Sequence, residues 1–129
     1  MFISVNDADK NDIIHMARDF CEMGFTIIAT KGTSKLLNNN GIICKNIFKV
    51  GEGRPHIVDS IKNNKINLII NTPLGEQSRY DEYQIGRAAI QFKIPVITTI
   101  PGANAVIRAI RIGDKKLTYS SLQKIFYKV

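Results

Sequence analysis

No apolar run in this sequence approaches the roughly 20 residues that a membrane-spanning helix needs. The opening MFISV is neither basic nor long enough to be a signal peptide, so the expected location is the cytoplasm, with no membrane partner. Cysteine is scarce. Cys21 and Cys44 stand far apart among apolar neighbours without metal-ligand spacing, so they read as small core residues, and no metal site is expected. Lysine and arginine are plentiful, 18 against 11 acidic residues, for a net charge of +7, yet they form no dense block and do not interleave with aromatics. That pattern argues against duplex nucleic acid as a partner and leaves a solvated face or a phosphorylated ligand. The phosphate loop G-x-x-x-x-G-K-[ST] and the dinucleotide fingerprint G-x-G-x-x-G are also missing. There is no internal repeat and no domain boundary, and 129 residues make one ordinary domain with a sizeable core.

What is present is alternation. Five short β-type runs fall at 2–5, 25–29, 46–50, 66–70 and 95–98, with helical patterns between most of them. Residues 10–23 put Ile13, Ile14, Ala17, Phe20 and Cys21 on one face of a helix that Gly24 ends. A short helix at 33–39 closes at the Asn-Asn-Asn-Gly turn, and another over 56–63 has Pro55 in its first turn. A longer helix covers about 79–93 with Ile85, Ala88, Ala89 and Phe92 inward, and two more follow at about 102–111 and 118–127. The run INLIIN is nearly all apolar, as a central parallel strand is. The expectation is a single α/β domain of three layers, a parallel sheet covered by helices on both faces.

In such sheets ligands bind beyond the carboxyl ends of the strands. The junctions there are Ser4 to Lys10, Thr30 to Ser34, Lys49 to Arg54, Asn71 to Gly75 with Thr72, and Thr98 to Asn104. In IIATKGTSKLL an apolar strand meets a helix start at two threonines, a lysine and a glycine. A helix start has unpaired N–H groups and partial positive charge, which favour an anion. Thr30 and Thr33 add hydroxyls, Gly32 permits close approach, and Lys10 and Lys49 add charge, so the set reads as a phosphate site. Taken alone, Thr33 or Ser34 reads as an N-cap. Arg54 reads equally as an anion ligand or as half of an ion pair with Glu52 or Asp59. Asn71 reads as a ligand for a base edge or acyl group, or as a turn residue before Pro73. His56 reads as a structural hydrogen-bonder, and Thr98, Thr99 and Asn104 surround a further turn.

The segments FISVNDADK, GFTIIATKGTSKLL, KVGEGRPHIVDSIKN, LIINTPLG and YDEYQIGRAAIQFKIPVITTI together resemble the carboxyl-terminal allosteric domain of the large subunit of carbamoyl-phosphate synthetase. That domain is a member of the wider methylglyoxal-synthase-like family. The resemblance implies a five-stranded parallel sheet of order 3-2-1-4-5 and an effector site for a nucleotide monophosphate, UMP or IMP. By position it assigns phosphate and ribose contacts to Lys10, Thr30, Thr33 and Lys49 and a contact near base and sugar to Asn71. A family threonine two places after that asparagine is Pro73 here, with Thr72 as the nearby hydroxyl. The resemblance further implies a regulatory domain, non-catalytic by itself and without its own cofactor. Its partners are then the rest of the large subunit, with ATP and a divalent metal bound elsewhere, and a glutaminase subunit. The late helices, about 102–127, are the candidate surface for passing the effector's preference on. The competing enzyme is methylglyoxal synthase acting on dihydroxyacetone phosphate. It needs a base where this chain aligns Arg54 and a histidine near Arg79, and arginine stays protonated. Glu52 and Asp81 are the available carboxylates, without the family's spacing. A purine-biosynthesis cyclohydrolase domain lacks its lysine-and-histidine loop here.

Overall fold

The computed structural model describes residues 1–73, 75, 79–113 and 118–127. Its elements run β1 (Phe2–Ser4), α1 (Ile13–Glu22), β2 (Ile27–Ala29), α2 (Lys31–Asn39), β3 (Cys44–Asn46), α3 (Ile57–Lys62), β4 (Ile69–Asn71), α4 (Arg79–Gln91), β5 (Val96–Ile97), α5 (Ile100–Ile112) and α6 (Leu122–Phe126). The five strands form one parallel sheet in the order β3-β2-β1-β4-β5, as expected. Residues 114–117 of the late-helix surface lie outside the described residues.

Side chains of successive strand residues point to opposite faces, and the core divides accordingly. Ile3, Ile27, Ala29 and Ile70 face a cluster closed by Ile13, Ala17 and Phe20 of α1, Leu37 of α2 and Ala103 and Ile107 of α5. Phe2 and Ile69 face a second cluster closed by Ile57 and Ile61 of α3 and Ile85 and Ala89 of α4. Both faces of the central strands are dry, which accounts for runs apolar at every position. Cys44 is buried and Cys21 half-buried, and burial raises both thiols, Cys44 to about 11. Among the described residues no helix is long and apolar enough to cross a membrane.

Several boundaries differ from expectation. β3 forms at Cys44–Asn46 rather than 46–50, because the side chain of Asn38 takes both backbone groups of Cys44: it donates to the carbonyl at 2.9 Å and accepts the N–H at 3.1 Å. Phe48 keeps only an isolated parallel bridge to His56. β4 begins at Ile69 rather than Ile66, since Ile69 is the first residue to find a partner in β1, opposite Phe2. α1 begins at Ile13, because Asn6 and Asp9 tie the preceding loop into turns; the Asp9 N–H donates to Asn6 Oδ1 at 2.9 Å and Asn6 Nδ2 donates to Asp9 Oδ2 at 2.7 Å. Within α1 the buried set includes Met16, while Ile14 and Cys21 are only partly covered. Pro55 stands before α3, whose cap is His56, so it is outside the first turn. α6 is limited to Leu122–Phe126.

Four helices stop in the same way. The N–H groups of Phe25, Ile42, Lys65 and Ile94 return to the carbonyls of Phe20, Leu37, Ser60 and Ala89, and the residue before each is left-handed. This is the Schellman closure. Glycine fills that position at Gly24 and Gly41, but Asn64 at φ 54° and Lys93 at φ 55° bear the steric penalty of a side chain. A Cβ at Gly24 would meet nothing within 4 Å, so its requirement is conformational alone. Gly24→Ala should therefore cost about 1 kcal/mol, and Lys93→Gly should add about 0.5 kcal/mol, both read from urea midpoints at constant m-value.

Candidate functional site

The crossovers change direction between β1 and β4, and there the carboxyl ends of two neighbouring strands lie open. Ser4 and Asn71 are paired in register at that point and both are buried. The Thr72 N–H donates to the Ser4 carbonyl at 3.0 Å, and the Thr72 hydroxyl accepts the Asn6 N–H at 3.0 Å. Thr72 therefore fastens the β1 exit to the β4 exit.

Beside this junction lies a cleft of about 400 Å³ lined by Ser4, Val5, Asp7, Lys10, Thr30, Lys31, Gly32, Thr33, Lys35, Lys49 and Glu52. Four lysines face two carboxylates. The floor is the start of α2. Thr30, not Thr33 or Ser34, is its N-cap residue, in an extended conformation and with no side-chain capping bond. Thr33 and Ser34 are buried in the first turn, which contains no acidic residue. Gly32 is exposed, and a Cβ built on it would stand 3.7 Å from Lys10 Nζ, so the Lys10 ammonium hangs over this turn. That ammonium pairs with Asp7. The Glu52 carboxylate accepts the Lys49 backbone N–H at 3.0 Å, which shapes the loop after β3.

Ser4 and Lys49 also line a small hollow with Asn71, Ile57, Asp81, Glu82 and Ile85. Two carboxyls near Lys49 titrate in opposite directions. Asp7 is held below the ordinary aspartate range, first by its hydrogen bond to Lys10, then by the charges of Lys10 and Lys49. Asp81 is pushed upward, chiefly by burial, with Glu52 and Glu82 adding repulsion and Lys49 opposing it.

The structure thus brings Lys10, Thr30, Gly32, Thr33, Lys49 and Ser4 to one cleft, with Asn71 in the adjoining hollow. It does not bring Thr72, Thr98, Thr99 and Asn104 there. Those four border a separate cleft of about 600 Å³ with Asp9, Asp12, His15 and Asp19. Thr99 caps α5, accepting the Gly102 N–H at 3.1 Å. Arg54 is 80% exposed and pairs with Asp59 at 3.6 Å, outside the cleft. His56 is structural in position: its N–H donates to Asp59 Oδ2 at 2.9 Å across the first turn of α3. Sequence reasoning missed Lys35 as a cleft residue, although its i, i+4 spacing from Lys31 at a helix start marks one face. It also missed Asp7 as the resident partner of Lys10. Among the described residues no cluster of His, Cys, Asp or Glu is arranged to hold a metal.

An all-parallel domain with this strand order and a lysine-rich cleft beside the switch point is a doubly wound α/β protein. The chain belongs to the MGS-like domain family, whose model matches residues 12–98. It is 44% identical over 132 aligned residues to the carbamoyl phosphate synthase large chain, C-terminal section, of Aquifex aeolicus, covering 98% of this chain and 25% of that one. It is 47% identical over 125 residues to the corresponding section from Methanopyrus kandleri, covering 95% and 23%. With the carbamoyl phosphate synthase large chain of a Nostoc species it shares 47% over 111 residues, covering 86% and 10%. The chain therefore spans a tenth to a quarter of the length of these relatives. Among solved structures, methylglyoxal synthase from Elizabethkingia anophelis NUHP1 superposes with a TM-score of 0.68 over 99% of this chain and 89% of that one, at 15% identity. That likeness is one of fold.

The two displaced carboxyls give a direct check by carboxyl-carbon NMR titration. Asp7 should titrate below and Asp81 above the ordinary aspartate range, and Lys10→Met should move Asp7 upward while leaving Asp81 in place. The stability contributions have opposite signs. That of Asp7 is present above its unfolded value and lost as pH falls through its depressed folded value. Ionised Asp81 opposes folding, so its penalty grows as pH rises from the unfolded value through the raised one.

Proposed function

We propose that this chain is the regulatory domain of a carbamoyl-phosphate synthase large subunit and that the cleft binds a nucleotide monophosphate, UMP or IMP. The observation that supports this reading is that Lys10 and Lys49 line one cleft with the start of α2, which has no side-chain cap and over whose first turn the Lys10 ammonium stands. A phosphate there would take N–H groups from the first turn, exchange Asp7 for itself as the partner of Lys10, and lie beside the Thr30 and Thr33 hydroxyls. Ser4 and Asn71, in the next hollow, are the polar groups that a sugar or base would meet. The domain would exert control by binding the effector more tightly in one arrangement of the whole enzyme than in another, because equal affinity shifts no equilibrium. The large subunit would bind ATP and its metal elsewhere, work with a glutaminase subunit, and supply carbamoyl phosphate for pyrimidine and arginine synthesis. This domain would add no catalytic group of its own.

A second reading is methylglyoxal synthase acting on dihydroxyacetone phosphate, and one observation favours it. Asp81 is a carboxyl with raised proton affinity at the edge of an anion site, as a general base requires. Against it, the expected position of the enzyme's base holds Arg54 and that of its histidine falls near Arg79, and Arg54 stands outside the cleft.

Thermal unfolding with UMP, IMP, N-acetylglutamate and dihydroxyacetone phosphate in turn separates these readings. A ligand at about 100 times its Kd adds roughly 2.7 kcal/mol. UMP or IMP should raise Tm, and the shift should disappear in Thr33→Ala and Lys49→Ala. Methylglyoxal released from dihydroxyacetone phosphate would transfer the assignment to the enzyme.

A further inference from the structure

The turn after β1 places a carboxylate inside a cleft otherwise marked out by cations. Asp7 and Lys10 leave that turn three residues apart, and their side chains form an ion pair. Other residues fix the turn's shape. The Asp9 N–H donates to Asn6 Oδ1 at 2.9 Å, Asn6 Nδ2 donates to Asp9 Oδ2 at 2.7 Å, and the Asn6 N–H donates to the Thr72 hydroxyl at 3.0 Å. The Asp7 side chain takes no part in these bonds. Among the described residues its hydrogen-bond partner is Lys10.

Asp7 is therefore dispensable for the turn, yet it stands where an anion would have to settle. Its hydrogen bond to Lys10 and the charges of Lys10 and Lys49 hold it below the ordinary aspartate range, so the field of both lysines reaches it. Glu52, the other carboxylate lining the cleft, is held by its own loop through the Lys49 N–H. The Asp7 side chain is 92% exposed against 35% for Lys10, so the carboxylate can swing into water while the ammonium stays over the first turn of α2. An anion arriving at that turn must take Lys10 from Asp7 and then tolerate its negative charge nearby. The first effect scales affinity by the unpaired fraction of Lys10, and the second is like-charge repulsion that salt screens.

We propose that Asp7 is a built-in counter-anion of the cleft, which holds Lys10 in the free protein and lowers the affinity of the site for phosphate. This rests on the reading of the cleft as a phosphate site, but not on which nucleotide fills it. A resident carboxylate sets the ligand concentration at which such a site fills and empties, and it does so without removing the lysines that recognise the ligand.

The test titrates the 129-residue protein with inorganic phosphate, UMP and IMP at low salt, following the backbone amides of residues 31–34 by NMR. Asp7→Asn keeps the shape and turn preference of the side chain without its charge. Asp12→Asn removes the same charge from the rim of the separate cleft and serves as the control. Asp7→Asn should bind inorganic phosphate about threefold more tightly than the wild type, Asp12→Asn should bind as the wild type does, and the gain should shrink in about 1 M salt. Without ligand, Asp7→Asn should melt with the wild type. Equal or weaker phosphate binding by Asp7→Asn, the same gain in Asp12→Asn, or a gain indifferent to salt would overturn the inference. A fall in Tm of several degrees would also overturn it, by giving Asp7 a structural duty. UMP or IMP binding equally well to wild type and Asp7→Asn would sink the inference and leave the effector reading standing. A gain for inorganic phosphate with no binding of UMP or IMP would support the inference and count against the effector reading alone. Amides unmoved by all three ligands would overturn both.

Discussion

Strands that all run one way must each be followed by a return across the sheet, so every strand-to-helix junction opens at the same edge. This constraint governs the molecule. It keeps both faces of the sheet dry and leaves one edge where polar groups collect. Among the described residues the buried polar side chains are Ser4, Thr30, Thr33, Ser34, Ser60, Asn71 and Thr72, and all but Ser60 lie along that edge. Burying hydroxyls and amides costs free energy unless they are paired, so their concentration at one edge is poorly explained by core packing. Thr72 has a structural partner in the Asn6 N–H. Thr30, the N-cap residue of α2, makes no side-chain capping bond.

The cleft is also poorly designed for the stability of α2. Lys31, Gly32 and Thr33 form its first turn, a position where a carboxylate is favourable, a cation is not, and glycine is a weak helix former. α5 and α6, by contrast, have side-chain caps in Thr99 and Ser121. An anion at the start of α2 would satisfy the helix terminus and the lysines together, whereas Asp7 pairs with Lys10 and α2 has no side-chain cap. Because Asp7 is exposed, its pairing with Lys10 is weak, and a phosphate bound as proposed would compete with it at small cost.

Much of this was legible before any coordinates. Helix positions follow from periodicity, and three-layer packing follows from apolar runs at consecutive positions such as Phe2–Ile3 and Ile69–Ile70. The resemblance supplied the strand order. β3 was misread because Ile47 and Phe48 carry the apolar signal, whereas the strand is fixed by the amide of Asn38, a residue that looks like a turn. The site was only partly legible, for a geometric reason. Strand ends fall on one edge, but adjacent strands are ~4.8 Å apart, so the end of β5 lies about 14 Å along the sheet from the end of β2. Thr98, Thr99 and Asn104 lie on the same edge but border the separate cleft beside the start of α1. Arg54 follows the β3 exit yet turns out to Asp59, because the cap of α3 holds that carboxylate nearby.

The division between binding and catalysis turns on which carboxylates are free. Abstracting a proton next to a carbonyl needs an unoccupied base aimed at the substrate, with a neutral or cationic donor opposite. Asp7 is spoken for by Lys10, and its depressed proton affinity makes it a poor base. Glu52 is taken up by the backbone of its own loop. Asp81 alone has a favourable shift, but it is set in the hollow beside Asn71 and shares that space with Glu82, whose negative charge would oppose an enolate forming there. Among the described residues the carboxylates that line the cleft at the start of α2 are Asp7 and Glu52, and both already have partners. Under the proposed reading the domain would affect its enzyme through occupancy, which would tie its usefulness to whatever surface it shares with the rest of the protein.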